Sequence, residues 1–81
     1  MTIYLVKTYG SDCDNEMWGR DQLFRKKQNA LEAFEEELKN IRCNYWGHKD
    51  VEEELVDDYC YNWFNDDFFT ALELHSYNVD D

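Results

Sequence analysis

From Thr2 to Tyr9 the chain alternates, with Ile3 and Leu5 on one side and Tyr4, Val6 and Thr8 on the other, before Gly10 and a polar run to Asn15. A period of two ending at glycine predicts a first strand that leaves into a loop. Glu16 to Phe24 places Met17, Trp18, Leu23 and Phe24 around Gly19 and predicts a short second strand, the hairpin partner of the first. Between Lys27 and Ile41 the pattern changes. Ala30, Leu31, Phe34, Leu38 and Ile41 recur at steps of three and four, which puts them on one face of a helix. Glu32, Glu35, Glu36 and Lys39 occupy its other face, Lys26 and Lys27 oppose the helix dipole at its start, and Arg42 complements it at its end.

Arg42 to Lys49 has no helical stripe and reads as a connector, with Gly47 supplying a turn and Trp46 tucking back onto the core. Asp50 followed by Glu53 has the spacing of a capping box and predicts the start of a second helix. Val51, Leu55, Tyr59 and Trp63 follow at steps of four, widened by Val56 and Cys60, with an end near Phe64 or Asn65. From Phe68 the period returns to two. Phe68, Thr70, Leu72 and Leu74 lie on one side and Phe69, Ala71, Glu73, His75 and Tyr77 on the other, the pattern of a final strand, with 78–81 frayed. The expected fold is a single α+β domain spanning residues 1–81. About three antiparallel strands, in chain order β-β-α-α-β, are covered by two helices. Its core is expected to hold Ile3, Leu5, Leu31, Phe34, Leu38, Leu55, Tyr59, Leu72 and Leu74.

Composition agrees with a folded chain and adds a strong electrostatic bias. A length of 81 residues supports one modest core, as a monomer or a homodimer, and 17% aromatic content without proline argues against disorder. The net charge is −11, and it is regional. Residues 1–27 sum to plus one and residues 28–81 to minus twelve. From Asp50 onward there are eleven carboxylates and no Lys or Arg. A chain so negative is pushed away from nucleic acid and from anionic bilayers and drawn to basic surfaces. No segment approaches the roughly 20 apolar residues of a membrane span, and three widely spaced cysteines, Cys13, Cys43 and Cys60, fit free thiols in a reducing, cytoplasmic setting.

Catalytic and metal motifs are poor matches. Asp12 to Glu16 starts like a calcium loop, but Met17 stands where glycine is needed and Leu23 where a bidentate acid is needed. Cys43 and His48 lack a close cysteine pair, and Cys60 and His75 lie on other elements, so zinc has no sequence-local site. There is no phosphate-binding glycine loop. The expectation is a protein without catalytic residues, metal or other cofactor.

What remains is a binding surface. Glu52, Glu53, Glu54, Asp57 and Asp58 have no basic residue one turn downstream, whereas an ordinary surface helix mixes signs. On a helix, carboxylates one turn apart stand about 5.4 Å apart along the axis and could mimic a row of phosphates. The aromatic segment Tyr59 to Phe69, carrying Asp66 and Asp67, should leave one of Tyr61 and Trp63, and one of Phe64 and Phe68, near the surface, where rings bordered by acids can grip Arg and Lys. The expected partner-binding residues are Glu52, Glu53, Glu54, Asp57, Asp58, Tyr61, Asp66 and Asp67.

In size, charge and layout the chain resembles small acidic proteins of phages and mobile elements, among them anti-CRISPR and anti-restriction proteins that imitate DNA. The resemblance spans the whole chain but rests on no diagnostic motif. It implies a stoichiometric inhibitor, without cofactor, of a basic nucleic-acid enzyme such as a CRISPR effector. An antitoxin- or immunity-like neutraliser of one basic enzyme, and a structural module whose acidity serves solubility, are the alternatives.

Overall fold

The computed structural model describes residues 1–11, 16–45, 50–65 and 68–79. The chain runs β1 (Thr2–Ser11), β2 (Met17–Phe24), α1 (Lys27–Asn44), β3 (Glu52–Asp57), β4 (Cys60–Phe64) and β5 (Phe69–Asn78). The strands form one antiparallel sheet in the order β2-β1-β5-β4-β3. α1 leaves one edge strand, crosses a single face of the sheet and delivers the chain to the opposite edge.

Five strands and one helix replace the expected three strands and two helices, and the difference lies in residues 50–65. That segment is a hairpin, β3 and β4 joined through Asp58 and Tyr59, with Asp57 paired to Cys60. The step of four among Val51, Leu55, Tyr59 and Trp63 is even, so it satisfies a strand period of two as well as a helical one. Tyr61 and Phe64, with the other aromatic and β-branched residues of the segment, favour a pleated surface. The Asp57-Asp58 pair supplies a turn, in which the Asp58 amide donates to Asp57 Oδ1 at 2.6 Å. Asp50 caps no helix; its carboxylate accepts from Asn65 Nδ2 at 3.2 Å and closes the open end of the hairpin.

The buried core is Val6, Ala30, Phe34, Ile41, Trp63 and Leu72. The expected positions Phe34 and Leu72 are in it, Leu38 and Leu74 pack against it half-buried, and Leu31 is half-buried. Ile3 and Leu5 are not. β1 turns Val6 and Thr8 toward the helix and leaves Ile3 and Leu5 half-buried on the other face, because Val6 pairs with Leu74 and Thr8 with Leu72. Leu55 and Tyr59 are exposed, at 57% and 43%, because the helix that was to bury them is an edge hairpin.

Close packing of the two central strands depends on Gly10. A Cβ there would stand 2.2 Å from the Phe69 carbonyl oxygen and 3.1 Å from the Trp18 ring, so only glycine permits the approach. Tyr45 covers one end of the core. Its ring stacks on Phe68 at 5.0 Å, and its hydroxyl shares a 2.6 Å hydrogen bond with buried Thr70. Among the described residues no buried side-chain polar atom lacks a partner.

Candidate functional site

The acidic residues expected on a helix form a sheet edge. Glu52, Glu53, Glu54 and Asp57 lie on β3, exposed at every position, and Asp58 is in the turn that follows. Tyr61 is on β4, half-buried, where it faces the same side as Trp63 and stacks on it at 5.7 Å. The two rings were expected to diverge, as on a helix; on a strand, residues two apart share a face. Trp63 is buried, and Phe64 and Phe68 are both half-buried. Asp66, Asp67 and Trp46 lie outside the described residues, as do Asp12 to Asn15 and His48.

Register decides which acids act together. Glu52 pairs with Phe64, Glu54 with Asn62 and Asp57 with Cys60, three positions of β4 that share one face. In a regular strand Asp57 would point to the opposite side from Glu54. The irregularity between Leu55 and Asp57 inserts one residue and turns Asp57 back. The bulge therefore aligns Glu52, Glu54 and Asp57 along the face of the sheet that α1 does not cover. Neighbouring same-face carboxylates on a strand are about 6.8 Å apart, wider than the helical spacing.

Glu53 points the other way and has a different role. It accepts two hydrogen bonds from Arg42, at 2.8 and 3.2 Å, and one from the indole N–H of buried Trp63 at 2.8 Å. Arg42 holds the Glu53 carboxyl below the usual carboxylate range, against burial that pushes it up, with Trp63 assisting. Arg42 also lies over the Tyr61 ring, 5.4 Å from its centroid. Glu53 thus ties β3 to α1. No basic side chain pairs with Glu52, Glu54, Asp57 or Asp58 among the described residues.

A second polar group extends from this edge across the uncovered face. Cys60 pairs with Glu73 of β5, which pairs with Lys7 of β1. The Tyr9 hydroxyl donates to Glu73, and His75 Nε2 contacts the same carboxylate at 2.6 Å. Burial pushes the Glu73 carboxyl up, but the hydrogen bonds from Tyr9 and His75 outweigh it, and the net direction is down. The bond to Glu73, with burial, pushes the Tyr9 phenol to about 12. Burial raises the Cys60 thiol, and Glu73, Asp57 and Glu54 raise it further, which holds it in the unreactive protonated form.

That surrounding argues against thiol chemistry at Cys60. Among the described residues, no hydrogen bond joins a thiol or hydroxyl to a histidine, and no group of three or more His, Cys, Asp or Glu is arranged to hold a metal. An open groove of about 660 Å³ follows Glu35, Leu38, Lys39, Arg42 and Cys43 along α1, but its Arg42 is already engaged by Glu53. A smaller pocket of about 230 Å³, between Asp50, Glu52, Phe64 and Asn65, sets two carboxylates beside an aromatic ring at the β3 edge.

Sequence reasoning missed Arg42 and Trp63 as partners of Glu53, and the whole Lys7, Tyr9, Glu73 and His75 group. Alternation placed Glu73 and His75 on one face of their strand, but which strand lay beside them was not legible. No protein-family model matches the chain, and no curated protein or solved structure matches it significantly. No helix among the described residues is long and apolar enough to cross a membrane.

Proposed function

We propose that this protein is a stoichiometric, non-catalytic inhibitor whose β3 edge occupies a basic, nucleic-acid-binding surface of a defence nuclease such as a CRISPR effector. One observation carries the reading: the bulge aligns Glu52, Glu54 and Asp57 on one face of an exposed edge strand, beside Asp58, with no basic side chain paired to them among the described residues. Unpaired carboxylates in a row repel one another, and a cationic surface relieves that repulsion. Long-range attraction raises the association rate, and the row competes with phosphates for the same Lys and Arg side chains. The pocket beside Phe64 adds a place where a guanidinium or ammonium group meets carboxylates and a ring together.

The experiment is capture of the target from host lysate by native protein and by a variant with Glu52, Glu54, Asp57 and Asp58 changed to Gln or Asn. The expected result is a nucleic-acid enzyme retained by the native protein, released by duplex DNA and not retained by the variant. Equal retention by both proteins removes the acidic edge from the account.

A further inference from the structure

One guanidinium is already held against β3 by the chain itself, and the way it is held defines a frame. On the helix side of the strand, Arg42 donates twice to the Glu53 carboxylate, at 2.8 and 3.2 Å, and lies over the Tyr61 ring, 5.4 Å from its centroid. A carboxylate of β3 and an aromatic ring of β4 together hold the base. Glu52, one residue earlier on β3, is opposed to Phe64 of β4 on the side that α1 does not cover. The same two elements thus present an acid and a ring on the other face.

Glu52 and Phe64 line a pocket of about 230 Å³ together with Asp50 and Asn65. That volume is below the roughly 300–1,000 Å³ of small-molecule sites and suits the end of one side chain. One wall is fixed from behind. Asn65 Oδ1 accepts from the Phe68 amide at 2.9 Å, which turns its Nδ2 to Asp50 Oδ2 at 3.2 Å and orients the Asp50 carboxylate. A carboxylate ordered in advance loses less freedom when a ligand arrives. Two acids beside a ring, with no basic side chain paired to either acid among the described residues, select a cation. The shape of the group decides which cation. An ammonium meets carboxylates as a point charge, whereas a planar guanidinium donates to two acceptors in its plane while its face lies on a ring.

We infer that this pocket takes the guanidinium of one Arg side chain of the target, in preference to Lys, between Asp50 and Glu52 and against Phe64. The inference rests on the inhibitor reading and gives the acidic edge a point of register. Charges along β3 attract a basic surface at any offset, and one seated Arg fixes the offset. Asp50 lies outside the row of Glu52, Glu54, Asp57 and Asp58, so its substitution separates the pocket from the field of that row.

Two blocked peptides of equal charge test it, Ser-Gly-Arg-Gly-Ser and Ser-Gly-Lys-Gly-Ser. Affinity and amide chemical-shift changes are measured for the native protein, for Phe64→Leu, which removes the ring and keeps apolar bulk, and for Asp50→Asn, which removes a charge and keeps an acceptor for Asn65. The expected result is about two- to fivefold tighter binding of the Arg peptide, the range of one exposed ring-and-cation contact, with shift changes centred on Asp50, Glu52, Phe64 and Asn65. Both variants should lose the preference for Arg. Equal affinity of the native protein for the two peptides overturns the Arg pocket and leaves the acidic edge standing, as does binding of neither. A preference for Arg that survives in Asp50→Asn, or shift changes spread along β3 without a centre at the pocket, also overturns it. No target is present in this titration, so its failure is distinct from a failure of the capture experiment.

Discussion

The two edges of the sheet are attached to the helix by mirror-image ion pairs and then diverge. At the β2 edge the strand supplies the base and the helix the acid, Arg20 with Glu37; at the β3 edge the strand supplies the acid and the helix the base, Glu53 with Arg42. Beyond those pairs, β2 carries one further acid, Asp21, whereas β3 and its turn carry Glu52, Glu54, Asp57 and Asp58. Both strands are open to solvent, and charges on an edge commonly guard it against pairing with another sheet. The β2 edge manages with almost none. Edge protection therefore accounts for a charge or two on β3 and leaves the aligned row unexplained, which is why the row is assigned to a partner.

The largest expected effect separates the edges by function. Changing Glu52, Glu54, Asp57 and Asp58 together to Gln or Asn should weaken target binding on the order of 100-fold, while the melting temperature stays the same or rises as self-repulsion is relieved. Replacing Asp21 and Gln22 on β2 by Asn and Ala should leave binding unchanged. Titration calorimetry and a thermal melt on each variant make the comparison.

The second effect separates the two ion pairs by what else depends on them. Glu53→Ala strands the indole N–H of Trp63, a residue 2% exposed, and should cost about 1–3 kcal/mol in urea unfolding. Glu53→Gln keeps an acceptor for that N–H and should recover part of the loss. Arg20→Ala breaks an exposed pair with no buried dependant and should cost about 0–1 kcal/mol. Equal losses at the two edges would contradict the structural role given to Glu53.

Stability should respond to pH in two windows. Glu53 and Glu73 both have lowered folded values, so their contribution is present above the usual carboxylate range and is lost as pH falls through those values. Solvent at the Arg42 and Glu53 side chains, 49% and 39% exposed, keeps that loss small. Tyr9 has the opposite sign. Its stabilisation is complete below the ordinary 10.0 and disappears as pH rises through about 12. Absorbance of the phenolate should show Tyr9 titrating near 12 in the native protein, and Glu73→Gln should bring it back toward the ordinary 10.0.

The strands at both ends and the helix from Lys27 were legible because each has one period, undisturbed by the other. Residues 50–65 were not. Their apolar step of four fits both periods, three consecutive glutamates favour a helix, and the position that discriminates, Tyr61, was read as a residue spilling from a helical face. The same ambiguity reversed the faces of β1, since Ile3 and Leu5 are as apolar as Tyr4 and Val6 and only pairing with Leu72 and Leu74 decides between them. Acidity of the site was visible in composition. Its alignment was not, because the bulge that turns Asp57 beside Glu54 is a property of the pairing with β4.

The most direct test of the acidic edge is the salt dependence of binding to the captured target, measured for the native protein and for the Glu52, Glu54, Asp57 and Asp58 variant. The account predicts that native affinity falls about 10- to 100-fold between about 50 and about 200 mM salt, and that the variant shows a much shallower slope from a weaker start. A native affinity that is flat across that range, or an unchanged slope in the variant, would contradict it.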